Sequence, residues 1–257
     1  LPAAAETHEL VLVPGSRTIL VTQQKPSQLV KVTLNNGSGL SVSARAFRLG
    51  AADADAHGLA VSRAYRGRVW CTLEHENRVL LLNPHASRPD AAPTAERSID
   101  VPGGARGPHY VAESGDELWV TCTQSDQILR INHRNTAQYR LYQASSHPIF
   151  VVRLGTSPIV YASQDKSSAI LRIDSETHDT RQIPIPAKVG TTPVGLVAGP
   201  QEAWVALLGT KEHATGTFGR LDAAGNAAWF TLSTPQARDS GLLHLGFPAT
   251  RGRTLWL

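Results

Sequence analysis

Five of the ten histidines in this 257-residue chain stand at short apolar runs: His8 in "HELVLV", His57 in "HGLAV", His109 in "HYVA", His147 before "PIFVV" and His244 in "LLHLGF". Imidazole titrates near neutral pH, so several such groups brought to one place would transfer protons. Carboxylates accompany them. Asp55 lies two residues before His57, Glu74 follows Trp70 by four, and Asp165 and the Glu212-His213 pair occupy comparable loops. Asp55 and Glu74 can hold a hard cation such as Mg²⁺ through oxygen, with His57 beside it as a base. Taken singly, each group also fits a capping or turn role, and Glu74-His75-Glu76 fits a solvated turn. Convergence would lift them above that role, and convergence depends on the elements that carry them.

Those elements are copies of one repeat. Aligned on an aromatic or apolar anchor, six segments match: Leu20, Trp70, Trp119, Tyr161, Trp204 and Trp256, spaced by 50, 49, 42, 43 and 52 residues. Nine residues after the anchor comes Leu29, Val79, Ile128 or Ile170; eleven after it, Lys31, Leu81, Arg130 or Arg172; twelve after it, Val32, Leu82, Ile131 or Ile173. The fifth copy keeps Phe218, Arg220 and Leu221 after an insertion, "GTKEH". Each copy reads as four short alternating strands separated by Gly, Asp, Asn or Pro, and no long 3.6-residue period interrupts them. Four strands per 40–50 residues predict an all-β chain, a β-propeller of four-stranded antiparallel blades.

The predicted organisation is a single domain, 1–257, with blades at about 8–50, 55–103, 107–143, 146–186 and 191–233 and an incomplete sixth at 240–257. Stopping at "TLWL", in mid-blade, is the pattern of a truncated ring. In a propeller the innermost strands line the central channel and begin at one rim. The five histidines are therefore expected at one rim, with Pro193-Val194 in the fifth copy. His57 is the candidate base, His8, His109, His147 and His244 are candidate substrate contacts, and Asp55 and Glu74 are candidate metal ligands.

Composition excludes other classes. The 25 basic and 21 acidic residues are dispersed, without a Lys/Arg block, which argues against nucleic-acid binding. No apolar run approaches the ~20 residues of a membrane-spanning helix. Cys71 and Cys122 are two small buried hydrophobes in expectation, since no CxxC pattern joins them. No GxSxG, HExxH or phosphate-binding loop occurs. Ala3-Ala4-Ala5 reads as the trace of a signal-peptidase site, so secretion is expected, with a cytoplasmic chain as the alternative.

The stretches "AHGLAV…VWCTLEHENRVLLL" and "GPHYVA…LWVTCTQSDQILRI" resemble the blade repeat of the virginiamycin B lyase (streptogramin B lyase) family. The resemblance implies a seven-bladed propeller and Mg²⁺-dependent opening of a cyclic depsipeptide by elimination rather than hydrolysis. In that family the base lies in a Glu-Pro-His-Gly motif. Here Asp55-Ala56-His57-Gly58 matches it, with Asp for Glu and Ala for Pro. Glu74 matches the metal-linked Glu four residues after the next Trp, and His8 matches the substrate-contacting His of the preceding blade. The matching blades begin this chain, whereas in the family they end it.

The expected function is thus a carbon–oxygen lyase acting on a cyclic ester or cyclic peptide, with Mg²⁺ as cofactor and a monomer as the working form. Two alternatives stand beside it. One is a non-catalytic propeller that recognises a protein or carbohydrate, and the other is a metal-dependent lactonase-type hydrolase.

Overall fold

The computed structural model describes residues 6–35, 41–199, 201–210, 214–246 and 255–256; Glu212 and His213 lie outside these. Alternating apolar and polar residues favour strands, and the described residues form five four-stranded antiparallel sheets, each in sequence order. The first contains β1 (Thr7–Leu12), β2 (Thr18–Gln23), β3 (Gln28–Asn35) and β4 (Ser41–Arg48). The second contains β5 (Ala56–Val61), β6 (Val69–Leu73), β7 (Arg78–Asn83) and β8 (Thr94–Asp100). The third contains β9 (Pro108–Ser114), β10 (Glu117–Cys122), β11 (Gln127–Asn132) and β12 (Tyr139–Gln143). The fourth contains β13 (Pro148–Arg153), β14 (Ile159–Gln164), β15 (Ala169–Asp174) and β16 (Thr180–Pro184). The fifth contains β17 (Pro193–Ala198), β18 (Glu202–Leu207), β19 (Thr217–Asp222) and β20 (Ala227–Thr231). Among the described residues, helix is confined to α1 (Pro235–Arg238) and a 3₁₀ turn, Thr123–Ser125. These are the four-stranded blades of a β-propeller, as the repeat predicts. No helix among the described residues is long and apolar enough to cross a membrane.

The chain divides into two compact units, residues 1–125 with 129–141, and residues 126–128 with 142–257. In the first, the anchors Leu20 and Trp70 are fully buried, and every residue of β6 is buried. Leu20, Leu29, Leu59, Cys71, Leu73 and Leu82 pack as one cluster. Trp70, Leu81, Val111, Leu118, Val120 and Leu129 pack as a second. Each large side chain so buried contributes roughly 1.5–3 kcal/mol. Both cysteines are buried free thiols, each pushed up to about 12 by burial and so kept protonated. Strands β4 and β8 are mostly exposed, as the outer strands of blades should be.

The repeat position eleven residues after the anchor has a structural role. In the first unit Lys31, only 1% exposed, donates through Nζ to the carbonyls of His85 (2.9 Å), Arg88 (2.7 Å) and Ala91 (3.1 Å). It thereby fastens the β7–β8 loop of the second blade. In the second unit Arg172, the matching residue, donates through Nε to Ala223 O (3.0 Å) in the β19–β20 turn. Burial, then the charge of Arg88, lowers the Lys31 pKa, and Asp90 opposes them. Replacing Lys31 with Met keeps the stem and removes the charged donor. We expect a loss of about 2 kcal/mol in urea unfolding, with faster amide exchange in residues 85–91 than elsewhere. Unchanged exchange there would show that the loop holds itself.

Among the described residues of the expected sixth segment, Gly246 and Trp256 form an isolated antiparallel bridge, with N···O distances of 3.0 and 2.8 Å.

Candidate active site

Strand pairing fixes which inner-strand residues are equivalent. The anchors Leu20, Trp70, Trp119, Tyr161, Trp204 and Trp256 lie opposite Val11, Ala60, Ala112, Val152, Val197 and Gly246. Three residues before each partner stand His8, His57, His109, Ile149, Val194 and Leu243. The expectation of five equivalent histidines is therefore corrected to three. His147 precedes its blade's position by two residues, and His244 follows its position by one. A one-residue offset turns a side chain to the opposite face of a strand, and periodicity of the apolar run alone does not set that offset.

His147 instead occupies the place of Asp55. Both immediately precede an inner strand and have positive φ, 43° and 59° respectively, as do Gly107 (71°) and Thr192 (58°). The carbonyl at this place accepts from the residue four after the anchor in three of the blades: Glu74 N donates to Asp55 O, Thr123 N to Gly107 O and Leu208 N to Thr192 O. Within the second unit, His147 Nδ1 is 2.7 Å from Asp165 Oδ1, and its amide donates to Asp126 Oδ1 at 2.6 Å. His244 meets the Phe150 ring edge-on at 5.3 Å, and burial lowers its pKa.

In the first unit the three equivalent imidazoles do converge. His57 lies between the other two, its ring centroid 3.7 Å from His8 and 3.6 Å from His109. Gly58 permits this approach, because a Cβ there would lie 2.5 Å from His109 O. His57 is 1% exposed. Burial, and then the charges of His109 and His8, lower its pKa well below the usual imidazole value. Its Nδ1 lies 3.2 Å from His109 O. A carbonyl only accepts, so Nδ1 carries the proton and Nε2 carries the lone pair.

Glu74 adds the carboxylate. The turn after β6 places it so that Oε2 is 3.1 Å from His109 Nδ1 and Oε1 accepts from Thr123 Oγ1 at 3.1 Å. Burial alone would raise its pKa, but hydrogen bonds from His109 and Thr123, with the charges of His109 and His75, outweigh burial and keep it lowered. His109 thus donates from Nδ1 and, like His57, presents Nε2 as an acceptor. Ligand atoms of His57, Glu74 and His109 all lie within 4.8 Å of one another, the one such group of three or more among the described residues.

Asp55, expected as a ligand beside Glu74, is not in that group; His109 takes its place. Its Oδ2 lies 3.6 Å from His75 Nε2, and its Oδ1 is buried without a hydrogen-bond partner. Burial, then the charge of Glu74, raises its pKa. The cluster therefore offers two nitrogens and one carboxylate, not two carboxylates. Imidazole suits Zn²⁺ and other transition-metal ions, whereas Mg²⁺ and Mn²⁺ are held mainly by oxygen ligands and retained water. The residues fit a divalent cation, and of these two oxygen-seeking ions Mn²⁺, a transition metal, tolerates an imidazole ligand better than Mg²⁺.

A catalytically inactive variant of virginiamycin B lyase from Staphylococcus aureus with quinupristin is similar over 95% of this chain and 75% of that one, with TM-score 0.70 and 19% identity. A streptogramin B lyase structure matches over 93% and 73%, with TM-score 0.69 and 21% identity. This chain has the fold of the streptogramin B lyases. Hydrazine synthase from Kuenenia stuttgartiensis also matches, over 93% and 70%, with TM-score 0.69 and 14% identity. The same architecture thus serves different chemistries, and the streptogramin B lyase likeness at these identities is one of fold. No protein-family pattern and no curated protein matches the sequence.

Proposed function

We propose that the chain is a metal-assisted carbon–oxygen lyase acting on a cyclic ester or cyclic depsipeptide. The observation that carries this reading is the convergence of His57, Glu74 and His109 within 4.8 Å, on a fold shared with the streptogramin B lyases. Glu74 and His109 would hold the cation, which when bound supplies Lewis acidity to a substrate carbonyl oxygen. His57 is assigned the proton. It is neutral, and the hydrogen bond from Nδ1 to His109 O points Nε2 away as the accepting nitrogen. Nε2 would take the proton next to that carbonyl, the C–H electron pair would become the new C=C bond, and the carboxylate would leave with the C–O pair. His8, its ring tilted at 45° to that of His57 and its side chain 34% exposed, would touch the substrate. His147 and His244 are not needed for this step. We propose the Mg²⁺ of the streptogramin B lyases only as the weaker of the cations this site would take.

Calorimetry with Mn²⁺ and with Mg²⁺ on the full chain, compared with Glu74→Gln, tests the site. We expect binding, tighter for Mn²⁺, and at least about tenfold weaker binding in the variant. Mass spectrometry of cyclic esters incubated with the loaded protein then separates the mechanisms. Elimination leaves product mass unchanged, whereas a lactonase adds one water. Equal metal binding by both proteins would remove the metal site, and no turnover of any ester would favour a recognition propeller.

A further inference from the structure

We propose that Thr123 is a positioning residue that fixes the Glu74 carboxylate for cation binding; this rests on the metal-site reading above. Thr123 stands four residues after its anchor Trp119, the same repeat position that Glu74 holds after Trp70. One repeat position is therefore used twice: in the second blade as a ligand, in the third as that ligand's support.

The hydrogen bonds carry the inference. Thr123 is 4% exposed, and its Oγ1 lies 3.1 Å from Glu74 Oε1 and 3.1 Å from Gly107 O. One hydroxyl proton serves one of these at a time. Gly107 O already accepts from Thr123 N at 2.9 Å, so the hydroxyl proton is available to the carboxylate. The third blade thus grips both Glu74 oxygens, Oε2 through His109 and Oε1 through Thr123. A carboxylate held by one oxygen alone can swing about that bond, whereas one held by both keeps its plane and presents the same lone pairs to an incoming ion. Groups that orient metal ligands typically change affinity ten- to a hundredfold when removed.

The test uses the full chain, Mn²⁺ alone as the probe, and the variants Thr123→Val, Thr123→Ser and Thr123→Ala. Valine keeps the shape and loses the hydroxyl, serine keeps the hydroxyl, and alanine is a second hydroxyl-free variant should valine disturb folding. We expect Mn²⁺ binding at least about tenfold weaker in Thr123→Val and Thr123→Ala, with Thr123→Ser close to wild type. Wild-type affinity in the hydroxyl-free variants overturns the proposal and leaves the metal site standing. If wild type binds no Mn²⁺, the metal reading falls, and the ¹⁵N spectrum of His109 in the metal-free protein judges Thr123 separately. There a shifted Nδ1 signal in Thr123→Val, restored in Thr123→Ser, supports Glu74 positioning by the hydroxyl; an unshifted signal refutes it.

Discussion

Glu113→Ala should lower the unfolding free energy by about 4 kcal/mol and the melting temperature by about 10 °C. Glu113 lies on β9 with its side chain 1% exposed. Its carboxylate accepts from Ser62 Oγ (2.8 Å), the amides of Arg63 and Ala64 (3.2 Å for the latter) and Trp70 Nε1 (2.9 Å). The β5–β6 turn and the anchor tryptophan of the second blade are thus tied to the inner strand of the third. Truncation leaves the buried Ser62 hydroxyl and Trp70 indole N–H without their acceptor, whereas the Arg63 and Ala64 amides lie in the exposed part of the turn and can turn to water. An unsatisfied buried donor costs about 1–3 kcal/mol, so two of them give about 4 kcal/mol. Glu113→Gln retains one oxygen but turns an NH₂ toward donors, so about 2 kcal/mol is expected. Urea unfolding followed by tryptophan fluorescence measures both. An alanine variant within about 1 kcal/mol of wild type would mean that water takes over the four donors.

This hub also bears on function, because β9 carries His109 and its partner blade carries His57 and Glu74. Rigid support of this kind is what a site assembled from two blades needs. Its existence was not legible from the residues: Glu113 reads as one more acidic residue in "YVAESGD", and only the pairing of two blades shows its four donors. The blades themselves were legible, because anchor spacing and the alternating runs after it are local and each strand obeys a period of two. The inner-strand offset was the weak point. Aligning the apolar runs made His147 and His244 equivalent to His57. The prolines point to the true offset. Pro108, Pro148 and Pro193 each open an inner strand, which makes Ile149 and Val194, not His147, the register equivalents of His109. Gly58 and Gly195 agree, since a Cβ on either would strike the backbone of the following segment, at His109 O and Leu243 O. The role of Thr123 is not legible in the sequence, because a threonine after a strand has many uses; its meaning comes from the carboxylate across the blade boundary.

Glu9→Gln should stabilise the protein by about 3 kcal/mol at pH 8 and leave its stability unchanged at pH 4. Glu9 follows His8 on β1, its side chain is 12% exposed, and burial raises its pKa from 4.5 to about 7. The folded state therefore holds this proton more tightly than the unfolded chain does. Below pH 4.5 both states are protonated, and the residue contributes its full share of stability. Between about 4.5 and 7 the unfolded chain releases the proton first, so stability falls as pH rises. Above 7 the folded protein carries a buried charge, and the displacement from 4.5 to about 7 corresponds to about 3 kcal/mol. Glutamine is neutral throughout and escapes that cost. His57 acts with the opposite sign: its lowered pKa costs stability as pH falls below the usual imidazole value, but it does so in both proteins and cancels from their difference. Urea unfolding of the two proteins at pH 4 and pH 8 measures the effect, and an equal difference at both values would sink it. The sign matters for the candidate site as well. Below pH 7 a protonated Glu9 adds no negative charge beside His8, so among Glu9 and Glu74 it is Glu74, held ionised by His109 and Thr123, that would draw a cation.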